Sequence, residues 1–361
     1  MRKRVTDPSR LWRAMKCLLT VGRRAVAGAL LVPLLLLMPL RVALAVLAAL
    51  GIGLMAGPVH AAPLRLAVAD VLYAAPVLIA DAAGFFKAEG LDLTVTHYTL
   101  GRPCLEALLD GRADIATVAD TPIMFAGFQR RDFQILATFT LSGRENQVVA
   151  RTDHGVQSAA DLRGRRLGVF TGTSGHYYSD TFLLFHGLKP GEVIELAQNP
   201  DDRIGPLLRG EIDAAALFGT YVTEALNVLG PKARVLPNPN FVSVLFNLVT
   251  RPASAGFSDD DAFKLLRAVR RGIDLIHHDP ARAKAIMARL LKLEVTVLDK
   301  TWSDFDYRLE LAQSLVTTLE AEARWALRRK FVPPGEVPDY LDLVRLEPLR
   351  RVDPRAVRIV K

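Results

Sequence analysis

The stretch FTGTSGHYYSD, Phe170 to Asp180, sets two glycines and two hydroxyl residues, Thr173 and Ser174, at what reads as the start of a helix. The backbone N–H groups of such a loop can point at an anion, and the positive end of a helix dipole favours negative charge. The chemistry it suits is binding of a sulfonate, carboxylate or phosphate. An ordinary capped strand-to-helix turn would place Thr173 or Ser174 in the same way. Other chemistries fit less well. A phosphate-binding P-loop needs Gly-Lys-Ser/Thr, and no lysine follows Gly172 or Gly175. Ser174, His176 and Asp180 offer the residue types of a catalytic triad, but the surroundings are not Gly-x-Ser-x-Gly and the three lie too close in sequence to align freely.

Further candidates are scattered. Arg102 and Arg144 are possible charge partners for an anionic ligand, and Asp70 and Asp120 could receive an amine. Tyr73, Tyr177, Phe218 and Tyr221 could wall a ligand body. His277, His278 and Asp279 precede Pro280 at a helix end, where histidines suit the dipole, and no companion ligands suggest a metal. His97 and His186 stand singly and read as structural. No catalytic residue, cofactor or metal is expected.

From Pro63 short apolar runs alternate with helical stretches of 10 to 15 residues, the rhythm of βαβ units and a mostly parallel sheet. The order strand, helix, strand, helix, strand, helix occurs twice. LLDGRADIATVAD (Leu108 to Asp120) recurs as LLRGEIDAAALFG (Leu207 to Gly219), with Leu-Leu closing a helix, Gly ending it, and Asp and Ala entering a strand. Two similar lobes follow. QVVAR (Gln147 to Arg151) and VSVLFNLVTR (Val242 to Arg251) read as crossover strands that carry the chain out to the second lobe and back. FKLLRAVRRGIDLIHH and RLELAQSLVTTLEAEARWALRR show apolar residues at helical spacing.

Open α/β sheets take ligands outside the carboxyl ends of their strands. Six segments are nominated: Asp70 to Tyr73, Thr99 to Arg102 and Asp120 to Thr121 from the first lobe, and Thr171 to Tyr177, Asn199 to Asp202 and Phe218 to Tyr221 from the second. Lobes facing each other across two hinge strands would bring all six to one cleft.

The formal charge of +8 does not point to nucleic acid. Residues 1–61 hold nine of the 46 basic and one of the 38 acidic residues, which leaves 37 of each. That segment reads as a leader: from Met38, a short positive start, the apolar run Val42 to Ala56 and small residues before a cut after Ala61. Met38 rather than Met1 is the expected start of translation. The alternative is an uncleaved anchor, since Ala25 to Ala56 is long enough to span a bilayer. Of the two cysteines only Cys104 lies beyond the leader, so no disulfide is expected there.

AAPVLIADAAGFFKAEGLDL, ALLDGRADIATVA, SAADLRGRRLGVFTGTSGHYY and LLRGEIDAAALF, in that order, resemble the periplasmic solute-binding proteins of ABC importers, in the nitrate, sulfonate and taurine branch that includes the NMT1/THI5-like thiamine-precursor binders. The resemblance implies an α/β type II periplasmic binding protein fold, two βαβ lobes joined by two hinge strands with a ligand cleft between them. Lobe 1 would be 62–148 plus 249–361, and lobe 2 149–248. It implies a monomeric, non-catalytic receptor in the periplasm, delivering a small organic anion to an inner-membrane permease without contact to nucleic acid. Motif matching places ligand contacts at Tyr73, Gly101, Asp120, Thr173, Ser174, His176 and Phe218; Arg102, Thr121, Tyr177 and Tyr221 join them from the strand-end argument. LFGTY stands where many members have Trp-x-Pro, which changes the loop after Phe218. The alternative function is an enzyme or binder acting on a pyrimidine or thiamine precursor on the same fold; the cysteine-rich motif of the thiamine-precursor synthases is absent.

Overall fold

The computed structural model describes residues 63–360 apart from 190, 200, 238–241 and 253–256. The leader and both of its candidate starts lie outside the described residues. Among those described, no helix is long and apolar enough to cross a membrane.

Twelve described strands form two sheets: β1 (Leu64–Ala69), β2 (Leu93–Tyr98), β3 (Ile115–Ala119), β4 (Gln134–Ser142), β5 (Asn146–Arg151), β6 (Arg166–Val169), β7 (Ile194–Ala197), β8 (Ala214–Phe218), β9 (Ala233–Val235), β10 (Val244–Thr250), β11 (Asp306–Ala312) and β12 (Val357–Arg358). One sheet has the order β12-β11-β4-β10-β3-β1-β2, the other β7-β6-β8-β5-β9. Each contains the same parallel triplet, β2-β1-β3 and β7-β6-β8, followed by an antiparallel strand. In the seven-stranded sheet that strand is β10, arriving from the other half; in the five-stranded sheet it is β5, arriving from the first. The two passages therefore complete each other's sheet.

The helices are α1 (Ala75–Ala82), α2 (Phe85–Ala88), α3 (Gly101–Leu109), α4 (Asp120–Gly127), α5 (Ser174–Phe185), α6 (Gly205–Leu208), α7 (Thr220–Leu229), α8 (Asp259–His278), α9 (Pro280–Leu291), α10 (Val295–Thr301), α11 (Gln313–Arg328) and α12 (Glu347–Val352). The stretch APVLIADAAGFFKAEG, Ala75 to Gly90, reads as one helix in the sequence but breaks because Gly84 takes φ 71°, a conformation only glycine adopts cheaply. Helix α8 starts at a capping box: Asp261 N–H donates to Ser258 Oγ at 3.0 Å, and Ser258 N–H donates to the Asp261 carboxylate at 3.1 Å. Its apolar stripe, including Leu265, Val269 and Ile276, is buried in the core of the seven-stranded half. One strand departs from the helical expectation. Residues 308–312, assigned to a long helix by their Leu, Glu and Ala content, belong to β11, which pairs antiparallel with β4. β4 itself, from QILATFTLS, was not anticipated.

The repeated sentence acquires a physical reason. Arg65 donates from Nε and Nη2 to the Asp114 carboxylate at 3.0 and 2.7 Å, from its backbone N–H to the same carboxylate at 2.9 Å, and from Nη1 to Gly111 O at 2.7 Å. Arg166 repeats this on Asp213, at 3.1, 2.9 and 2.9 Å, and on Gly210 O at 3.2 Å. Gly111 and Gly210 both end their turns at φ near +73°. Each clamp ties the start of the first strand of a triplet to the start of its third. It therefore sits at the amino ends of the parallel strands, opposite the ends where a ligand would bind.

Candidate functional site

At the carboxyl ends, the two halves enclose three adjoining chambers. The central one, about 460 Å³ counted to its mouth, is lined by Val71, Tyr73, Leu100, Gly101, Arg102, Ala119, Pro122 and Phe246 from the larger half and Asn146, Thr173, Ser174 and Phe218 from the smaller. Tyr73 stacks on Phe246 at 5.2 Å between ring centroids and meets the edge of Phe305 at 5.1 Å. Phe218 packs edge-on against Phe170 at 5.6 Å. The walls are thus aromatic on both sides.

Helix α5 begins at this chamber. Thr173 is its N-cap residue, yet no side chain caps the first turn, because the Thr173 hydroxyl donates instead to Phe170 O at 2.6 Å. The positive end of the helix, at Thr173 and Ser174, borders the chamber. Arg102, at the start of α3, reaches across to Thr171 O at 3.2 Å and also pairs with Glu106. It lines the central chamber and a second, more open one beside His176 and Phe331. Gly101 has a steric reason: a Cβ there would lie 2.9 Å from the Val118 backbone and 3.2 Å from the Phe246 ring.

The third chamber lies beyond Phe218, lined among others by Asp70, Glu145, Arg203, Gly219 and Tyr221. Arg203 lies over the Tyr221 ring at 5.3 Å. Glu145 is 4% exposed and its Oε2 has no hydrogen-bond partner. Burial pushes its carboxyl well above the ordinary range, which favours the protonated form. Glu145, Asn146 and Phe246 were missed by sequence reading; they lie on or beside the crossovers, and no motif marks them.

Three expected residues stand apart from these chambers. Asp120 is buried and spends its carboxylate on the backbone: Thr121 N–H and Leu245 N–H each donate to it at 2.9 Å, which fastens β3 to β10. Burial raises it to about 7. Thr121 is fully buried and donates to Glu322, whose carboxyl burial also pushes well up. Tyr177 packs on Trp325 at 5.3 Å. Of the remaining candidates, Tyr73, Gly101, Arg102, Thr173, Ser174 and Phe218 share the central chamber, Tyr221 faces the third and His176 the second.

Cys104 is buried, donates to Leu100 O at 3.4 Å, and is pushed up by burial, the opposite of an activated thiol. His176 Nδ1 accepts from Gly172 N–H at 3.3 Å rather than engaging a nucleophile. His176, Asp180 and Glu195 have the donor types of a metal site, but the Arg329 guanidinium already bonds both carboxylates, at 2.9 and 2.8 Å.

Comparison with known proteins gives a consistent picture. The taurine-binding periplasmic protein of Escherichia coli is 28% identical over 165 residues, 45% of this chain and 49% of that one. The chain's alignment thus spans about half the length of such curated relatives. The alkanesulfonate-binding protein SsuA from Xanthomonas axonopodis pv. citri, solved with MOPS, superposes with a TM-score of 0.69 at 18% identity, over 79% of this chain and 99% of that one. The desulfurization enzyme DSZB shares the fold at a TM-score of 0.62 and 16% identity, over 81% and 99%. The fold is accordingly the periplasmic binding protein fold. The NMT1/THI5-like family model matches residues 72–283, more than half of the sequence, and the chain belongs to that family.

Proposed function

We propose that the protein is an extracytoplasmic receptor that closes by hinge bending on a small organic anion, a sulfonate in first place, and delivers it to the permease of an ABC importer without chemical change. The observation that carries this reading is the central chamber: an uncapped helix start and Arg102 at one side, aromatic rings from both halves around it. Contacts drawn from both halves exist together only when the halves are closed, so binding favours closure. The relatives named for taurine and sulfonate binding point to the same ligand class.

The deciding variant is Ser174→Pro. Ser174 is the first helical residue, where proline removes the amide N–H at little cost to the helix. Thr173, at φ −111° and ψ 170°, already has the extended backbone a following proline requires. Calorimetry against taurine, alkanesulfonates and aromatic sulfonates should show affinity for the binding member falling by roughly 10- to 100-fold, one charge-assisted hydrogen bond. Unchanged affinity in a folded variant would show that the anion sits elsewhere.

A further inference from the structure

Outside the chambers, a second set of contacts joins the two halves. Trp325, on α11, donates from its indole N–H to Asp180 Oδ2 at 2.6 Å. Arg329, just beyond that helix, donates from Nη1 to Asp180 Oδ1 at 2.9 Å and from Nη2 to Glu195 Oε2 at 2.8 Å. Trp325 belongs to the core of the seven-stranded half. Asp180 and Glu195, on α5 and β7, belong to the five-stranded half. The Asp180 side chain is 2% exposed, those of Arg329 and Glu195 19%. His176 lies between this cluster and the anion loop. Its ring meets Trp325 edge-on at 5.4 Å, Nε2 is 3.5 Å from Glu195 Oε2, and Nδ1 accepts the Gly172 N–H.

We propose that Trp325 and Arg329 form a latch that holds the two halves closed through Asp180 and Glu195, and that His176 is a positioning residue carrying the state of the latch to the loop 171–174. The physical case rests on what opening would do. Separated, both carboxylates and the guanidinium are hydrated, so the pairs are lost at modest cost; closed, the carboxylates take the Trp325 and Arg329 donors from the other half. Such contacts bias a two-state equilibrium without freezing it. His176 adds direction. With Nδ1 accepting from Gly172, the ring N–H sits on Nε2 and faces Glu195, so a displaced Glu195 leaves the ring, and the Gly172 amide it receives, free to shift. The inference does not depend on which ligand the chambers take.

The test needs no ligand. With Cys17→Ser in the full chain, spin labels on Asp110→Cys and Glu211→Cys, exposed residues at the amino ends of the two sheets, report separation of the halves; Cys104 is buried and does not label. Arg329→Ala should lengthen and broaden the label distance, Trp325→Phe less so, and Arg329→Lys should restore part of the native distribution. An unchanged distribution in folded Arg329→Ala overturns the latch. Should Arg329→Ala fail to fold, an unchanged distance in Trp325→Phe and Arg329→Lys overturns it equally. His176→Phe keeps the ring packing and loses both nitrogens; amide exchange across 172–174 should quicken by roughly tenfold, and native exchange rates would remove the positioning role. Zn²⁺ raising the melting midpoint of the native chain but not that of His176→Phe would assign His176, Asp180 and Glu195 to metal binding and overturn the latch.

Discussion

Asp213→Ala asks whether the repeated motif fastens the fold or serves the ligand. Asp213 is 5% exposed and accepts from the Arg166 backbone N–H, Nε and Nη2, and from His154 at 2.9 Å. Removing it deletes charge-assisted bonds, which are worth about 1.5–3 kcal/mol. Arg166, with 41% of its side chain exposed, can be rehydrated, so the larger penalty of stranding a buried charge does not arise. A loss near 3 kcal/mol over a unit of about 300 residues, at an unfolding entropy of about 2 cal/mol/K per residue, lowers the melting midpoint by roughly 5 °C. The pH dependence sharpens the test. Hydrogen bonds from Arg166 hold the Asp213 carboxyl well below the usual carboxylate range, so its stabilisation is complete above the ordinary aspartate pKa near 3.9 and is lost as pH falls toward the folded value. Calorimetry should therefore find the full gap between native and variant at pH 7 and a smaller one at pH 3, with ligand affinity at pH 7 unaltered because the clamp lies at the far ends of the strands. An equal gap at both pH values, or a variant that melts normally but binds weakly, would refute the reasoning.

Gly272→Ala places a Cβ 2.2 Å from the Pro76 carbonyl oxygen, where α8 lies against α1; overpacking against backbone should cost about 1–3 kcal/mol, visible as a lower urea midpoint. Burial raises Asp120 to about 7 and Glu322 well above its ordinary value, and acids raised in the fold contribute stability that is lost as pH climbs through the raised values. Urea midpoints of the native protein should accordingly fall between pH 5 and 8, and Glu322→Gln, which cannot ionise, should flatten the decline; an identical slope in the variant would contradict it. Gly219 has φ 54°, and a Cβ there would lie 2.5 Å from Glu145 Oε1. Gly219→Ala should displace the Glu145 carboxyl and change ligand affinity more than melting temperature; calorimetric titration beside a melting curve separates the two.

The parallel triplets were legible because burial and chain direction write themselves locally: apolar runs, a glycine ending each helix, an aspartate entering each third strand. β11 was not legible, since Leu309, Glu310 and Leu311 are good helix formers and only pairing with β4 holds them extended. In the site, Tyr73, Thr173, Ser174 and Phe218 were reachable because each follows or ends a parallel strand. Asp120 met the same rule and was misleading. A strand-end carboxylate can satisfy a neighbouring strand's amide as readily as a ligand, and here β10 takes it through Leu245. Glu145 and Phe246 were invisible because their positions depend on how the passages between halves are threaded, a non-local property.

The two copies have diverged at one end only. At the amino ends of the strands the Arg65–Asp114 and Arg166–Asp213 clamps use the same residue types as donor, acceptor and glycine. At the carboxyl ends Ala119 and Asp120 in one copy answer Phe218 and Gly219 in the other: Ala119 and Phe218 both line the central chamber, but Asp120 is tied to β10 through Leu245 whereas Gly219 lines the third chamber. A clamp carries the register of its sheet, and any change there is felt across the whole triplet; a strand end carries only its own loop. Substitutions at Phe218, Gly219 and the loop 171–174 can therefore reshape the chambers while the clamps stay fixed, and the residues that recur between the copies are those that hold the strands in register.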